Sequence, residues 1–182
     1  VPIYPIQITW GCLYKCTYCA ITAARGDASK YYSYPLEKVL KNAKLAIKAE
    51  YKRIILSGDE TGNYGYKFQG LNLSVLLGEL STLSTQIGIR NLEPAGFLRH
   101  YQAIYSLAEQ GKLFHLAVPI QSGSTSILKA MNRAPRDRKS LDEIINKMNR
   151  LQKLYKPPII TTHIIIGFPT ETKRDFNQSV KS

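Results

Sequence analysis

Apolar and polar positions along this chain alternate between two rhythms. Short apolar runs at 6–10 (IQITW), 53–57 (RIILS), 87–94 (IGIRNLEP), 113–120 (LFHLAVPI) and 159–168 (IITTHIIIGF) read as strands, with Pro94 closing the third. Between them lie longer stretches in which apolar residues recur at helical spacing, as a helix with one buried face requires. In 35–50, Leu36, Val39, Leu40, Ala43 and Ile47 form one stripe, and Pro35 suits the first turn. Segments 73–83 and 97–111 also read as helices, the second stopped by Gly111. A helix at 140–155 is expected to open on a capping box, Ser140 with Glu143, and another begins in 171–181.

Strands separated by crossover helices imply a parallel sheet with right-handed connections. Five strands are too few for the closed barrel of about eight. The expected fold is therefore α/β, an incomplete TIM-like β/α barrel with a parallel sheet. In such folds ligands collect at the carboxyl ends of the strands. The polar and Gly-rich loops fall there, at 11–27, 58–65, 93–96, 121–124 and 167–171. No internal repeat or low-complexity linker interrupts the chain, so 1–182 reads as one domain.

The 182 residues, 44% of them apolar, suffice for one filled core and exclude a disordered chain. No run approaches the ~18 apolar residues of a membrane span, and no signal peptide is visible, so a cytoplasmic protein without membrane contact is expected. The net charge of +12 changes the picture more. Its densest stretch, 129–156, sets nine cations against Asp137, Asp142 and Glu143. A phosphate-backbone binder carries this footprint, and so does a well-solvated helix face.

Every cysteine of the chain lies in one C-x3-C-x2-C pattern, Cys12, Cys16 and Cys19. An odd, tightly spaced set argues against a disulfide framework and for a reducing compartment. Structural zinc is usually closed by four ligands, and the nearest histidine in sequence is the distant His100. Three thiolates without a fourth fit an iron–sulfur cluster better, with one iron left open to an exogenous ligand. His100, His115 and His163 read as structural, from their places in a helix and in apolar strands.

The cysteine pattern, with Tyr18 just before its last member, resembles the signature of radical S-adenosylmethionine (SAM) enzymes. Further stretches narrow the resemblance to the methylthiotransferases: ARGD (24–27), SGDETGNYG (57–65), IRNLEP (89–94), PIQSGSTSILKAMNR (119–133) and IIIGFPTET (164–172). The resemblance implies a [4Fe–4S] cluster on Cys12, Cys16 and Cys19 that binds SAM at its open iron. One electron from an external reductant then cleaves SAM, and the resulting radical abstracts hydrogen from the substrate. It also implies SAM contacts at the strand ends. Gln121 and Ser122 would line the ribose, Glu93 and Arg133 the methionine end, and Tyr18, Ile166 and Gly167 the adenine. Gly58, Glu60 and Thr61 complete the implied cofactor-binding set, and Gly62 and Gly123 would join Gly58 and Gly167 in letting backbone approach the ligand.

Within the family, ARGD followed by SYP and TGNYG looks most like the enzymes that methylthiolate threonylcarbamoyladenosine in tRNA beside the anticodon. The isopentenyladenosine tRNA enzymes and the ribosomal-protein methylthiotransferases are the neighbouring alternatives. The basic stretch favours tRNA, while ASKYY (28–32) departs from the family pattern at the substrate mouth. Family members also carry an N-terminal domain with three more cysteines for a sulfur-supplying cluster, and usually a C-terminal RNA-binding domain. The chain, which opens on Val1, is expected to be a core segment without these and without the last barrel strand. A radical enzyme of another reaction type and a metal-stabilised, non-enzymatic nucleic-acid-binding module remain as other functions.

Overall fold

A computed structural model describes residues 1–181. In chain order its first half comprises β1 (Ile3–Gln7), β2 (Thr9–Trp10), α1 (Ile21–Arg25), β3 (Tyr32–Ser33), α2 (Leu36–Lys48), β4 (Arg53–Ser57) and α3 (Leu73–Ser81). Then follow β5 (Gln86–Ile89), α4 (Pro94–Glu109), β6 (Leu113–Ala117), α5 (Thr125–Ala130), α6 (Arg138–Gln152), β7 (Ile159–Thr161) and α7 (Lys173–Lys181). Five strands form a parallel sheet in the order β1-β4-β5-β6-β7, the open sheet expected of an incomplete barrel.

The core follows from the period of each element. Ile54 and Leu56 of β4, and Ile87 and Ile89 of β5, alternate onto one fully buried face. Leu73, Leu76, Leu77 and Leu80 of α3 and Phe97, Tyr101, Ile104 and Leu107 of α4 recur at helical spacing and belong to the same apolar cluster. Helices α2, α3, α4 and α6 touch in succession, forming one layer over the sheet. The strand ends are left open on the other side of the connections, where loops carry the polar residues.

Four local expectations change. IQITW breaks at Ile8, whose N–H donates to Ser57 while its carbonyl accepts from Tyr34. Thr9–Trp10 then leaves the parallel sheet and pairs antiparallel with Tyr32–Ser33. Pro94 opens α4 instead of closing a strand, since a helix's first turn needs no N–H from it. Helix α6 is capped by Asp137, which accepts from the Ser140 N–H at 2.8 Å, and not by Ser140 with Glu143. The run 159–168 keeps only three strand residues plus an isolated bridge between Gln121 and Ile164.

A capping box does occur at α7. Thr172 donates backbone N–H and hydroxyl to Asp175 Oδ2, and the Asp175 N–H returns a bond to Thr172 Oγ1 at 3.3 Å. Asp175 Oδ1 also accepts from Ser124 at 2.6 Å and from Ser126 at 2.9 Å, tying α7 to the start of α5. These donors, Ser124 first, hold the Asp175 carboxyl well below the usual carboxylate range. A depressed pKa stabilises the fold above the ordinary carboxylate pKa, and that contribution is lost as pH falls through the folded value. Asp175→Ala is therefore expected to lower the melting temperature by a few degrees at neutral pH, with the gap to wild type closing in strong acid. Calorimetry across pH checks both.

Candidate active site at the strand ends

The cysteine loop is fastened beside the ends of β4 and α5. On one side the Thr9 hydroxyl donates to the Glu60 carbonyl at 2.6 Å and the Gly11 N–H to Asp59 Oδ2 at 2.8 Å. On the other, the Thr17 N–H donates to Met131 at 3.0 Å and the Asn132 amide to Lys15 at 2.9 Å. A Cβ on Gly58 would stand 1.9 Å from Thr9 Oγ1, so the close approach of the two loops requires glycine there. Gly58→Ala is expected to destabilise the protein by about 1–3 kcal/mol through overpacking, as chemical denaturation would measure.

The loop roofs a cavity of about 250 Å3 lined by all three thiols together with Tyr14, Tyr18, Glu60, Glu93, Gln121, Arg133 and His163. Among the described residues no three His, Cys, Asp or Glu side chains converge as ligands of one metal ion. The sulfurs are instead spread along the wall of this cavity. Burial pushes the Cys12 thiol up to about 11, with the Tyr14 N–H partly opposing the shift. Iron coordination would deprotonate it outright. Donor softness and number fit a cluster that takes three thiolates.

Two buried charges face the same cavity without pairing with each other. Glu93 is 2% exposed and Arg133 8% exposed. Glu93 Oε2 caps α4, accepting from the Ala95 and Gly96 N–H groups, and also accepts from the Tyr14 hydroxyl at 3.2 Å. Its other oxygen, Oε1, has no partner. Arg133 donates to the Pro119 carbonyl at 2.9 Å and to Cys16 Sγ at 3.8 Å, leaving its Nε–H unpartnered. An unsatisfied buried carboxylate oxygen and an unsatisfied buried guanidinium N–H are costly. Both atoms are closed to solvent, so a ligand in the cavity would meet the two groups through their charge and not through these atoms.

Glu60 sits beneath these groups. Its carboxylate accepts from Gly62, from the Asn63 backbone and from the Asn63 side chain, whose amide also donates to Tyr14. Burial nevertheless outweighs these donors and pushes Glu60 up to about 7. A raised acid pKa makes the folded state bind more protons than the unfolded one. Stability from this group is full below the ordinary 4.5 and is lost as pH rises through about 7. Glu60→Gln should flatten the fall in melting temperature over that window in the metal-free protein.

The structure gathers Tyr18, Glu60, Glu93, Gln121, Arg133 and the three cysteines around one cavity. It sets the other expected contacts elsewhere. Thr61 and Ser122 are fully buried, the first bonded to the Arg90 carbonyl and the second to Ser124 and Ser179. Gly58 meets Thr9, Ile166 is 66% exposed, and Gly167 lies in open space. His100 is structural, with both ring nitrogens engaged by Ser74 and Gly62. His163, read as structural from its strand, lines the cavity instead, because the strand ends at Thr161.

Sequence reasoning passed over Tyr14, Asp59 and Asn91, which also line the cavity. Tyr14 stands inside the cysteine motif. Asn91 and Gln121 share a subtler signal, a left-handed backbone (φ 53° and 76°) at successive strand ends. Such strain in residues other than glycine gathers at functional sites.

The basic stretch does not form one patch. A 15-residue helix such as α6 is about 22 Å long and runs from the loop end of the sheet to the opposite end. Along it Arg138 pairs with Asp142 at 2.7 Å and Lys147 with Glu143 at 3.6 Å. Lys147 and Arg150 also cover the rings of Tyr101 and Tyr105. Arg133 belongs to the cavity. Arg136 donates to Asn132 at 2.6 Å and Arg138 to the Gly123 carbonyl at 3.4 Å, while Lys139 lines a separate groove with Tyr101 and Arg150.

Comparison with known proteins points the same way. The model of the radical SAM superfamily matches residues 6–182. A probable threonylcarbamoyladenosine tRNA methylthiotransferase of Methanocaldococcus jannaschii is 33% identical, covering 98% of this chain and 41% of its own length. The Bacillus subtilis threonylcarbamoyladenosine tRNA methylthiotransferase MtaB is 34% identical, with 96% and 38% covered. A tRNA-2-methylthio-N(6)-dimethylallyladenosine synthase of Campylobacter jejuni is also 34% identical, with 96% and 40% covered. The chain thus spans about two fifths of the length of these relatives. The radical SAM methyltransferase TsrM of Kitasatospora setae, solved with tryptophan and a SAM analogue, shares the fold at a TM-score of 0.74 and 12% identity. The match covers 98% of this chain and 33% of that one.

Proposed function

We propose that this chain, which belongs to the radical SAM superfamily, forms the core of an enzyme that cleaves SAM reductively to methylthiolate an adenosine of tRNA. Cys12, Cys16 and Cys19 would hold a [4Fe–4S] cluster, which supplies the electron for that cleavage. The observation that carries the reading is one cavity lined by the three cysteines together with a buried carboxylate, Glu93, and a buried guanidinium, Arg133. SAM ends in an ammonium and a carboxylate, and these two groups complement such charges.

In this reading Glu93 accepts from the ligand ammonium, and Arg133 donates to its carboxylate while its other nitrogen steadies Cys16. Tyr14 and Asn63 keep the Glu93 carboxylate from turning away, and Tyr18, Gln121 and His163 wall the remainder of the cavity. Threonylcarbamoyladenosine is the preferred target nucleoside, supported by the names of two of the relatives and by the ARGD and TGNYG stretches. Lys129, Arg136 and Arg138 are proposed to meet tRNA phosphates. The work would proceed in the cytoplasm with an external one-electron reductant.

The test is anaerobic reconstitution with iron and sulfide, then dithionite and SAM. Production of 5′-deoxyadenosine is expected from this chain. The same incubation with tRNA bearing threonylcarbamoyl- or dimethylallyl-adenosine, digested for mass spectrometry, reads the second half of the proposal. All three cysteines of this sequence would be committed to the one cluster, so SAM cleavage without methylthio product is expected from this chain alone. Stoichiometric zinc, with no iron taken up, would falsify the cofactor assignment.

A further inference from the structure

A ladder of aromatic side chains and cations stands beside the cavity mouth, and nothing in the proposed chemistry uses it. It is built on the small β2–β3 hairpin, where Trp10 and Tyr32 are direct cross-strand partners and so share one face. Tyr34, two residues on, sets its ring 5.2 Å from that of Tyr32 at 82°. A cation closes each end. The Arg25 guanidinium lies 3.7 Å over the Trp10 ring, and Lys38 Nζ lies 4.8 Å over that of Tyr34.

The two hairpin rings are exposed although their footing is not, while Tyr34 packs partly against the core. Trp10 and Tyr32 keep 38% and 46% of their surface open, while Thr9 and Ser33, which alternate with them, are buried. Thr9 is bonded to the Glu60 carbonyl, and Ser33 accepts from the Gly65 N–H at 3.0 Å. Gly65 itself has φ +83° and stands against the Leu71 carbonyl, so this footing is tightly built. Arg25 also reaches Asp59 of the cavity wall at 3.5 Å, which places one end of the ladder at the cavity mouth.

We infer that this face is a stacking platform for unpaired bases of an RNA strand whose target nucleoside enters the cavity. Rigid, half-exposed aromatic rings bracketed by cations suit bases that offer a π-face and phosphates that offer charge. Bases held in a duplex present no such face. The inference rests on the reading above that the substrate is RNA. It adds where the flanking nucleotides lie.

Trp10 is the chain's only tryptophan, so its emission reports this face alone. The experiment titrates the reconstituted protein with single-stranded octamers rU8 and rA8 and with an RNA duplex of equal length, reading Trp10 fluorescence and the anisotropy of end-labelled RNA together. Saturable quenching by the single strands is expected, with the duplex at least tenfold weaker. Tyr32→Ala should weaken single-strand binding about tenfold or more. Arg136→Glu with Arg138→Glu should lower the salt dependence yet leave the quenching amplitude intact.

Single strands that bind by anisotropy without changing Trp10 emission would overturn the platform while leaving RNA binding in place. Absence of RNA binding by either readout would overturn the RNA reading together with the platform. A blue shift of Trp10 with protein concentration alone, with no response to RNA, would assign the face to a second copy of the chain. Circular dichroism and melting of Tyr32→Ala confirm that the variant tested is folded; if it is not, Tyr32→Ser on the same exposed ring is read by the same criteria.

Discussion

Cys16→Ala is expected to abolish the brown chromophore after anaerobic reconstitution and to reduce 5′-deoxyadenosine formation to background. Three thiolates are the minimum that leaves one iron open on a four-iron cluster, and the chain holds no other cysteine to substitute. The loop that carries them is held by the Thr9 hydroxyl's bond to the Glu60 carbonyl and the Thr17 N–H's bond to Met131, which disfavours bringing a replacement donor into place. The variant should nevertheless fold. All three thiols are only partly buried or exposed, and the core cluster includes none of them. Electronic absorption, iron content and product chromatography give the result, with circular dichroism as the folding control. A variant that retains a full cluster and turnover would remove Cys16 from the ligand set.

Glu93→Gln and Arg133→Met should separate ligand binding from stability. Each removes a buried charge on a residue that lines the cavity. A charge-assisted hydrogen bond is worth about 1.5–3 kcal/mol, so each change should weaken SAM binding roughly 10- to 150-fold. The unliganded protein should lose little stability, because a buried ion lacking its counter-charge is a burden in the absence of ligand. Glutamine keeps an oxygen for the Ala95 and Gly96 N–H groups, so the α4 cap survives. Calorimetric titration with SAM and thermal melting, done on the same samples, decide the matter. Equal losses in both measurements would mean that Glu93 and Arg133 serve packing.

Glu93 also shows why a residue can support two readings at once. By resemblance it is a contact at the methionine end, and the structure adds that Oε2 caps α4 while Oε1 has no partner. Tyr14, far away in sequence, also donates to Oε2. Ser122 and Thr61, placed among the ligand contacts by resemblance, bond through their hydroxyls within the protein. A loop's composition gives its neighbourhood, while each side chain's direction depends on local dihedrals that composition does not contain.

What the chain determined by itself is what lies within a few residues. The strand and helix alternation was legible because burial of one face imposes a period on adjacent positions. The thiol triplet was legible because its three donors come from one loop. The charge excess was legible as a sum, but its distribution was not. An α-helix carries successive residues the length of the domain, and some of the cations in 129–156 are covered by acids or rings of their own layer. The opposition of Glu93 to Arg133 and the Trp10–Tyr32 pairing were decided only by tertiary structure. The first requires loops that follow β5 and α5 to meet at one cavity. The second requires a break at Ile8 that turns two residues out of the parallel sheet and onto a partner 22 positions away. Both depend on which backbone donors are already taken by neighbouring strands, and that accounting closes only when the whole chain has packed.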